Sequence, residues 1–133
     1  MTKAKLDLTL TVTSLLSILL LTFHLADDTV RARLGSAEAG GSTLVAVPIL
    51  AIWLYGTLIL AGRRSGYIFM LVGSLLGLLI PVVHVVGASG AFHGHLARSG
   101  SDFFFVWTLH ALGVTALFSL ALSITGLLSS RRS

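Results

Sequence analysis

The residues able to do chemistry are few. Five histidines (His24, His84, His93, His95, His110) and five acids (Asp7, Asp27, Asp28, Glu38, Asp102) supply imidazole nitrogens and carboxylate oxygens. These are ligands for Zn, Cu, Fe or Ni. There is no cysteine, which removes disulfides, thiolate zinc sites, iron–sulfur clusters and thiol nucleophiles. The only methionines, Met1 and Met70, argue against a thioether Cu(I) site. His24 stands three residues before Asp27 and four before Asp28, so a helix continuing past residue 26 puts ring and carboxylates on one face. His93-Gly94-His95 in extended chain sends both rings to one side.

What must position these groups is read from the charges. Of 133 residues, 55% are hydrophobic and 11% charged, with mean hydropathy +0.96. That is too little charge to cover a water-facing globule, where about 25% is usual. Four runs carry no charged residue: 8–26, 39–62, 65–97 and 103–130, of 19, 24, 33 and 28 residues. Each can cross a hydrocarbon core of about 30 Å as a helix. Trimmed of glycine and polar residues, the expected spans are about 7–26, 43–62, 66–87 and 103–128. Isolated strands are disfavoured, because lipid cannot satisfy their backbone polar groups. The expected fold is an all-α integral membrane protein, one domain over 1–133, with four helices in an antiparallel up-down bundle. His24 lies where a small residue would be needed for cleavage after Ala26, so the first span reads as a retained helix rather than a signal peptide.

Orientation follows from the basic residues. With the N-terminus inside, Lys3, Lys5, Arg63, Arg64, Arg131 and Arg132 are cytoplasmic, and Arg31, Arg33 and Arg98 are outside. Six against three places both termini in the cytoplasm. The layout is similar to that of small bacterial four-span proteins, and the expected location is the inner (plasma) membrane. The net charge of +4 is scattered in ones and twos, not clustered as a nucleic-acid surface requires. In this frame all five histidines fall on the outer half, with Asp27, Asp28, Glu38 and Asp102; only Asp7 is inside. His110 lies about two turns into span four. An ionisable residue at that depth is costly and is expected to face a partner or a cavity.

Small residues mark packing faces. Gly73-x-x-x-Gly77 in span three, Thr13 and Ser17 in span one, and Thr115, Ser119 and Ser123 in span four are expected at helix–helix contacts. Pro81 is expected to kink span three and to release a carbonyl near His84. The Arg63-Arg64-Ser65-Gly66 connection is tight and makes spans two and three a hairpin. Tyr67 and Trp107 are expected in the interfacial aromatic belt, and Trp53 and Tyr55, in mid-span, in packing.

Three functions compete. The first is a transition-metal site, Zn or Cu, on the outer face. His24, His84 and His110 with Asp27 or Asp28 would build it, and His93 and His95 would cap it. The second is a b-type haem held by His84 and His110, or by His24 and His110, with Arg31, Arg33 or Arg98 near the propionates. The third is a structural accessory subunit whose partners are lipid, other membrane subunits or further copies of itself. The aromatic residues, including Phe103-Phe104-Phe105, would then be anchors or partner contacts. A proton-coupled transporter ranks below these, because no Asp or Glu occupies the central part of a span. No hydrolase, P-loop or dinucleotide motif is present, and no catalytic residue is assigned.

Overall fold

In the computed structural model the described residues form helices and the turns that join them. Residues 1–35, 40–87 and 100–130 are described, with side chains for 1–27, 29, 30, 46–83 and 103–130. Among the described residues four helices follow in order: α1 (Lys3–Gly35), α2 (Gly40–Leu58), α3 (Arg64–Gly87) and α4 (Gly100–Ser129). Among the described residues three segments are long and apolar enough to cross a membrane: Lys3–Asp27, Arg64–Val83 and Phe103–Ser129. Within α2 the described apolar stretch, Ala46–Leu58, is shorter.

Two boundaries differ from expectation. The outer connection expected near 27–42 is helical as far as Gly35. Residues 27–34 contain no glycine or proline to stop a helix, and Asp27 precedes Arg31 by the four residues that favour helical pairing. The second helix stops at Leu58 instead of continuing to 62. The chain turns through Ile59–Arg63, where Arg63 N donates to Leu60 O at 3.1 Å. Gly62 adopts φ 71°, a left-handed conformation that costs glycine little and other residues more. Gly66 then sits so close to the Leu60 carbonyl that a Cβ there would overlap it, which makes the turn tight.

α1 and α3 each pack against both α2 and α4, while the direct α1–α3 contact is slighter. At one end Leu6, Leu10, Tyr67 and Met70 cluster with Leu122 and Leu127. Further along, Ile18, Leu21, Trp53 and Leu112 form a second cluster with Leu20, Leu25, Leu50 and Ile80. Early residues of α1 and α3 therefore meet late residues of α4.

The burial pattern is inverted relative to a water-soluble bundle. The interior holds Ser14, Ser17, Thr57, Ser74, Thr108, Ser119, Ser123 and His24 among its aliphatic residues. The exterior is Leu, Val, Ile and Phe along every helix, for example Leu8, Val12, Leu16 and Leu19 on α1 and Ile68, Val72, Leu75 and Leu79 on α3. Exposed apolar surface of this extent is favourable only where lipid replaces water. Membrane association is the physical reading of this surface.

Pro81 lies inside α3, which continues to Gly87. The carbonyl that loses its amide partner belongs to Gly77, four residues earlier, and not to a residue near His84. Pro81 itself packs against α4, where a Cβ on Gly113 would stand 3.4 Å from its Cγ.

Candidate functional site

The inner stripe of α1 runs Asp7, Leu10, Ser14, Ser17, Leu21, His24, alternating steps of three and four residues. Leu10 to His24 along it are buried and Asp7 is half-buried. This one helical face carries three of the eight buried polar residues described, Ser14, Ser17 and His24, together with the half-buried Asp7.

Near its start, Tyr67 Oη donates a short hydrogen bond to Asp7 Oδ1, joining α3 to α1. The ring packs against α4, where a Cβ on Gly126 would stand 2.6 Å from Tyr67 Cε1. Tyr67 is 1% exposed, so it is an interior residue and not the belt residue expected. The reason is the carboxylate. Asp7 inside the bundle offers the phenol an acceptor, and Gly126 leaves space for the ring. Trp107, by contrast, is exposed, five residues after Asp102.

Two turns further along α1, Trp53 Nε1 donates to Ser14 Oγ at 2.8 Å. Ser14 and Thr57 hydroxyls are 2.8 Å apart, and Thr57 Oγ1 donates to the Trp53 carbonyl at 2.9 Å. Thr57 has then spent its proton, so Ser14 donates to Thr57. The result is a closed, directed ring of three hydrogen bonds between α1 and α2, buried throughout. The Trp53 indole lies across the Gly73-x-x-x-Gly77 groove. A Cβ on Gly73 would stand 2.5 Å from Cγ and Cε2 of the indole, and one on Gly77 would be 3.2 Å from Cη2. The glycine pair and Trp53 do serve packing, as expected, and each is the other's partner, whereas Tyr55, also expected in packing, is on the exposed surface. One turn on, Ser17 Oγ bonds Thr115 Oγ1 at 3.0 Å and the Thr13 carbonyl at 2.9 Å. Ser123 turns back on Ser119 O at 2.8 Å, and Ser119 Oγ is buried without a hydrogen bond among the described residues.

The histidines divide. His24 is 2% exposed, and its ring faces Phe105 of α4, with centroids 5.1 Å apart. Asp27 follows on the same helix and is half-buried. His110 is on the outward surface of α4, within the membrane-length segment. Its Nδ1 donates to the Val106 carbonyl at 2.8 Å. One of these two rings thus points into the bundle and the other away from it. Among the described residues no three His, Asp or Glu side chains gather closely enough to hold a metal ion. The side chains of Asp28, His84, Arg31 and Arg33, and the whole of His93, His95 and Arg98, lie outside the described residues.

Sequence reasoning missed the Asp7–Tyr67 bond and the Ser14–Thr57–Trp53 ring. The available signal was the three-four spacing of Asp7, Ser14, Ser17 and His24, which marks a single face. Comparisons with protein-family models, with curated proteins and with solved structures give no match.

Proposed function

We propose that the chain is a four-span integral membrane protein, an up-and-down antiparallel bundle with both termini cytoplasmic, that works as a structural subunit within a membrane protein assembly. The observation that carries this reading is His110. It sits seven residues after Phe103, roughly 10 Å along the helix axis at 1.5 Å per residue, on a surface otherwise made of Phe103, Trp107, Val114, Leu117, Phe118 and Ile124. Imidazole within the hydrocarbon depth is costly against acyl chains and is suited to contact with protein. The rest of the molecule supports a scaffold role. Its buried hydroxyls other than Ser119 give up their protons to helix carbonyls or to cross-helix bonds, an arrangement that holds helices together. Orientation rests on the six-to-three excess of basic residues at the ends assigned to the cytoplasm.

The test is the mass of the particle extracted from membranes in mild detergent or lipid nanodiscs. A discrete species heavier than the 14.0 kDa chain, retaining stoichiometric polypeptide on purification, is expected. A monodisperse single chain in the bilayer, equally stable with His110 or His110→Leu, would remove the reading.

A further inference from the structure

Beyond that reading, and independently of His110, we infer that the middle of the bundle binds one water molecule between Ser74 of α3 and Ser119 of α4. Helix register places the site. A Cβ on Gly126 of α4 would stand 2.6 Å from Tyr67 Cε1 of α3, and one on Gly77 of α3 would stand 3.3 Å from Ala116 Cβ of α4. Ser74 lies seven residues after Tyr67 and three before Gly77, while Ser119 lies seven before Gly126 and three after Ala116. Steps of three and seven stay on one helical face. Ser74 and Ser119 therefore stand level with each other on the facing sides of an antiparallel pair, and each is 0% exposed.

The other two helices bring hydroxyls to the same layer. Ser17 of α1 bonds to Thr115 of α4 at 3.0 Å. Early α1 meets late α4, so Ser14, three residues before Ser17, is level with Ser119, four residues after Thr115. Thr57 of α2 is joined to Ser14. Each helix thus gives one fully buried hydroxyl to a single layer. That layer is deep in the membrane-length segments: Ser14 is eleven residues from Lys3 and thirteen from Asp27, and Ser74 is ten from Arg64 and nine from Val83.

Counting protons selects the ligand. Trp53 donates to Ser14, Ser14 to Thr57, and Thr57 to the Trp53 carbonyl. Ser74 donates to the Met70 carbonyl at 2.6 Å. Ser119 Oγ, equally buried, makes no hydrogen bond among the described residues. The layer is left with one O–H donor, on Ser119, and with spare acceptor lone pairs on Ser74, Ser14 and Thr57. Water matches this set. It accepts from Ser119 and returns its two protons to Ser74 and to the Ser14–Thr57 pair, the roughly three bonds usual for a buried water. A bare cation does not match, because the layer holds no carboxylate. The acid of α1 on this side is Asp7, two turns away from Ser14 and held by Tyr67. An apolar molecule would leave the Ser119 hydroxyl stranded, which is costly in a bundle surrounded by lipid. The water ties α3 and α4 into a hydrogen-bonded ring that otherwise joins α1 and α2 alone.

The test is proton-detected solid-state NMR of the full chain in deuterated lipid bilayers, with magnetisation passed from water to the protein at short mixing times. Transfer to the β-protons of Ser119 and Ser74 is expected, while Leu112, equally buried on α4, receives none. In Ser119→Ala the transfer to Ser74 should be lost. In reversible unfolding, Ser74→Ala and Ser119→Ala combined should lower the folded-to-unfolded ratio at least about two-fold less than the product of their separate effects, the coupling of residues that share a partner. No transfer to Ser119 in the unaltered chain would overturn the site; its hydroxyl would then be folded back on its own helix. Transfer to Ser74 that survives Ser119→Ala would overturn it too. Coupling without transfer would mean a direct bond between the two serines and would equally remove the water. The subunit reading is decided by particle mass, so it stands or falls apart from these results.

Discussion

Trp53 Nε1 donates to Ser14 Oγ at 2.8 Å, and through that bond the largest side chain of α2 is locked to the polar face of α1. The indole is at the same time the object that fills the Gly73–Gly77 groove of α3. One residue thus registers three helices.

Replacing Ser14 by Ala strands the Trp53 N–H and removes the donor to Thr57. Interhelical hydrogen bonds in membranes average about 0.6 kcal/mol and reach about 1.7, while a buried group left unsatisfied costs about 1–3 kcal/mol. Ser14→Ala should therefore destabilise by about 1–3 kcal/mol in reversible unfolding from mixed micelles. Trp53→Phe added to it should cost less than the sum of the single changes, because the orphaned donor is gone. Strict additivity would mean the ring carries no coupling.

Glycine substitutions on α3 and α4 should rank by space. Alanine favours a helix over glycine by about 1 kcal/mol, so a tolerated Gly→Ala raises stability. Gly113→Ala meets only ordinary contact at 3.4 Å from Pro81 Cγ and should be neutral or stabilising. Gly73→Ala overlaps the Trp53 ring, and overpacking of this kind costs about 1–3 kcal/mol. Gly77→Ala, with 3.2 Å to Cη2, should fall between them. Trp53→Leu should reverse the harm of Gly73→Ala. Thermal unfolding in one detergent reads the order, and a Gly113→Ala variant weaker than Gly73→Ala would contradict it.

The Asp7–Tyr67 bond ties the beginnings of α1 and α3. A hydrogen bond to a charged group is worth about 1.5–3 kcal/mol. Tyr67→Phe keeps the ring against Gly126 and removes only the donor. Its cost should lie at or below that range, and Asp7→Leu with Tyr67→Phe should be milder than either single change. A double-mutant cycle with no coupling would show that the pair contributes nothing.

The two tryptophans should report opposite environments. Trp107 is 55% exposed and Trp53 is 2% exposed. In bilayers with brominated acyl chains, a Trp53→Phe protein should be strongly quenched through Trp107. A Trp107→Phe protein should be quenched several-fold less. Equal quenching would place Trp53 at the lipid surface and refute the bundle interior described above.

Helix content was legible because lipid leaves a hydrophobic segment few alternatives. Uncharged runs longer than the hydrocarbon thickness are helices, and α3 and α4 begin and end within three residues of the expected limits. The end of α2 was not legible. Ile59-Leu60-Ala61 is as apolar as the helix before it, and the turn depends on Gly62 in a left-handed conformation and on Gly66 against Leu60. The run to Gly35 was missed for the opposite reason. Charges at 27, 28, 31 and 33 ended the span without ending the helix.

Of the candidate site, the stripes of small and hydroxyl residues were legible as packing faces, because their three-four spacing puts them on one side whatever the neighbours are. Which way each histidine turned was not. His24 and His110 look alike in sequence, each an imidazole near one end of an apolar run. The position of a ring about the helix axis is set by which face the other helices cover.

Composition and charge spacing by themselves determined a helical, lipid-adapted chain, since burying unpaired backbone in hydrocarbon excludes almost everything else. Tertiary structure alone decided that Tyr67 turns inward to Asp7, that Trp53 enters the glycine groove, and that His24 and His110 face opposite sides of the bundle wall. Those outcomes depend on the rotation of each helix against its neighbours, which is fixed by shape fit and by hydrogen bonds between residues distant in sequence.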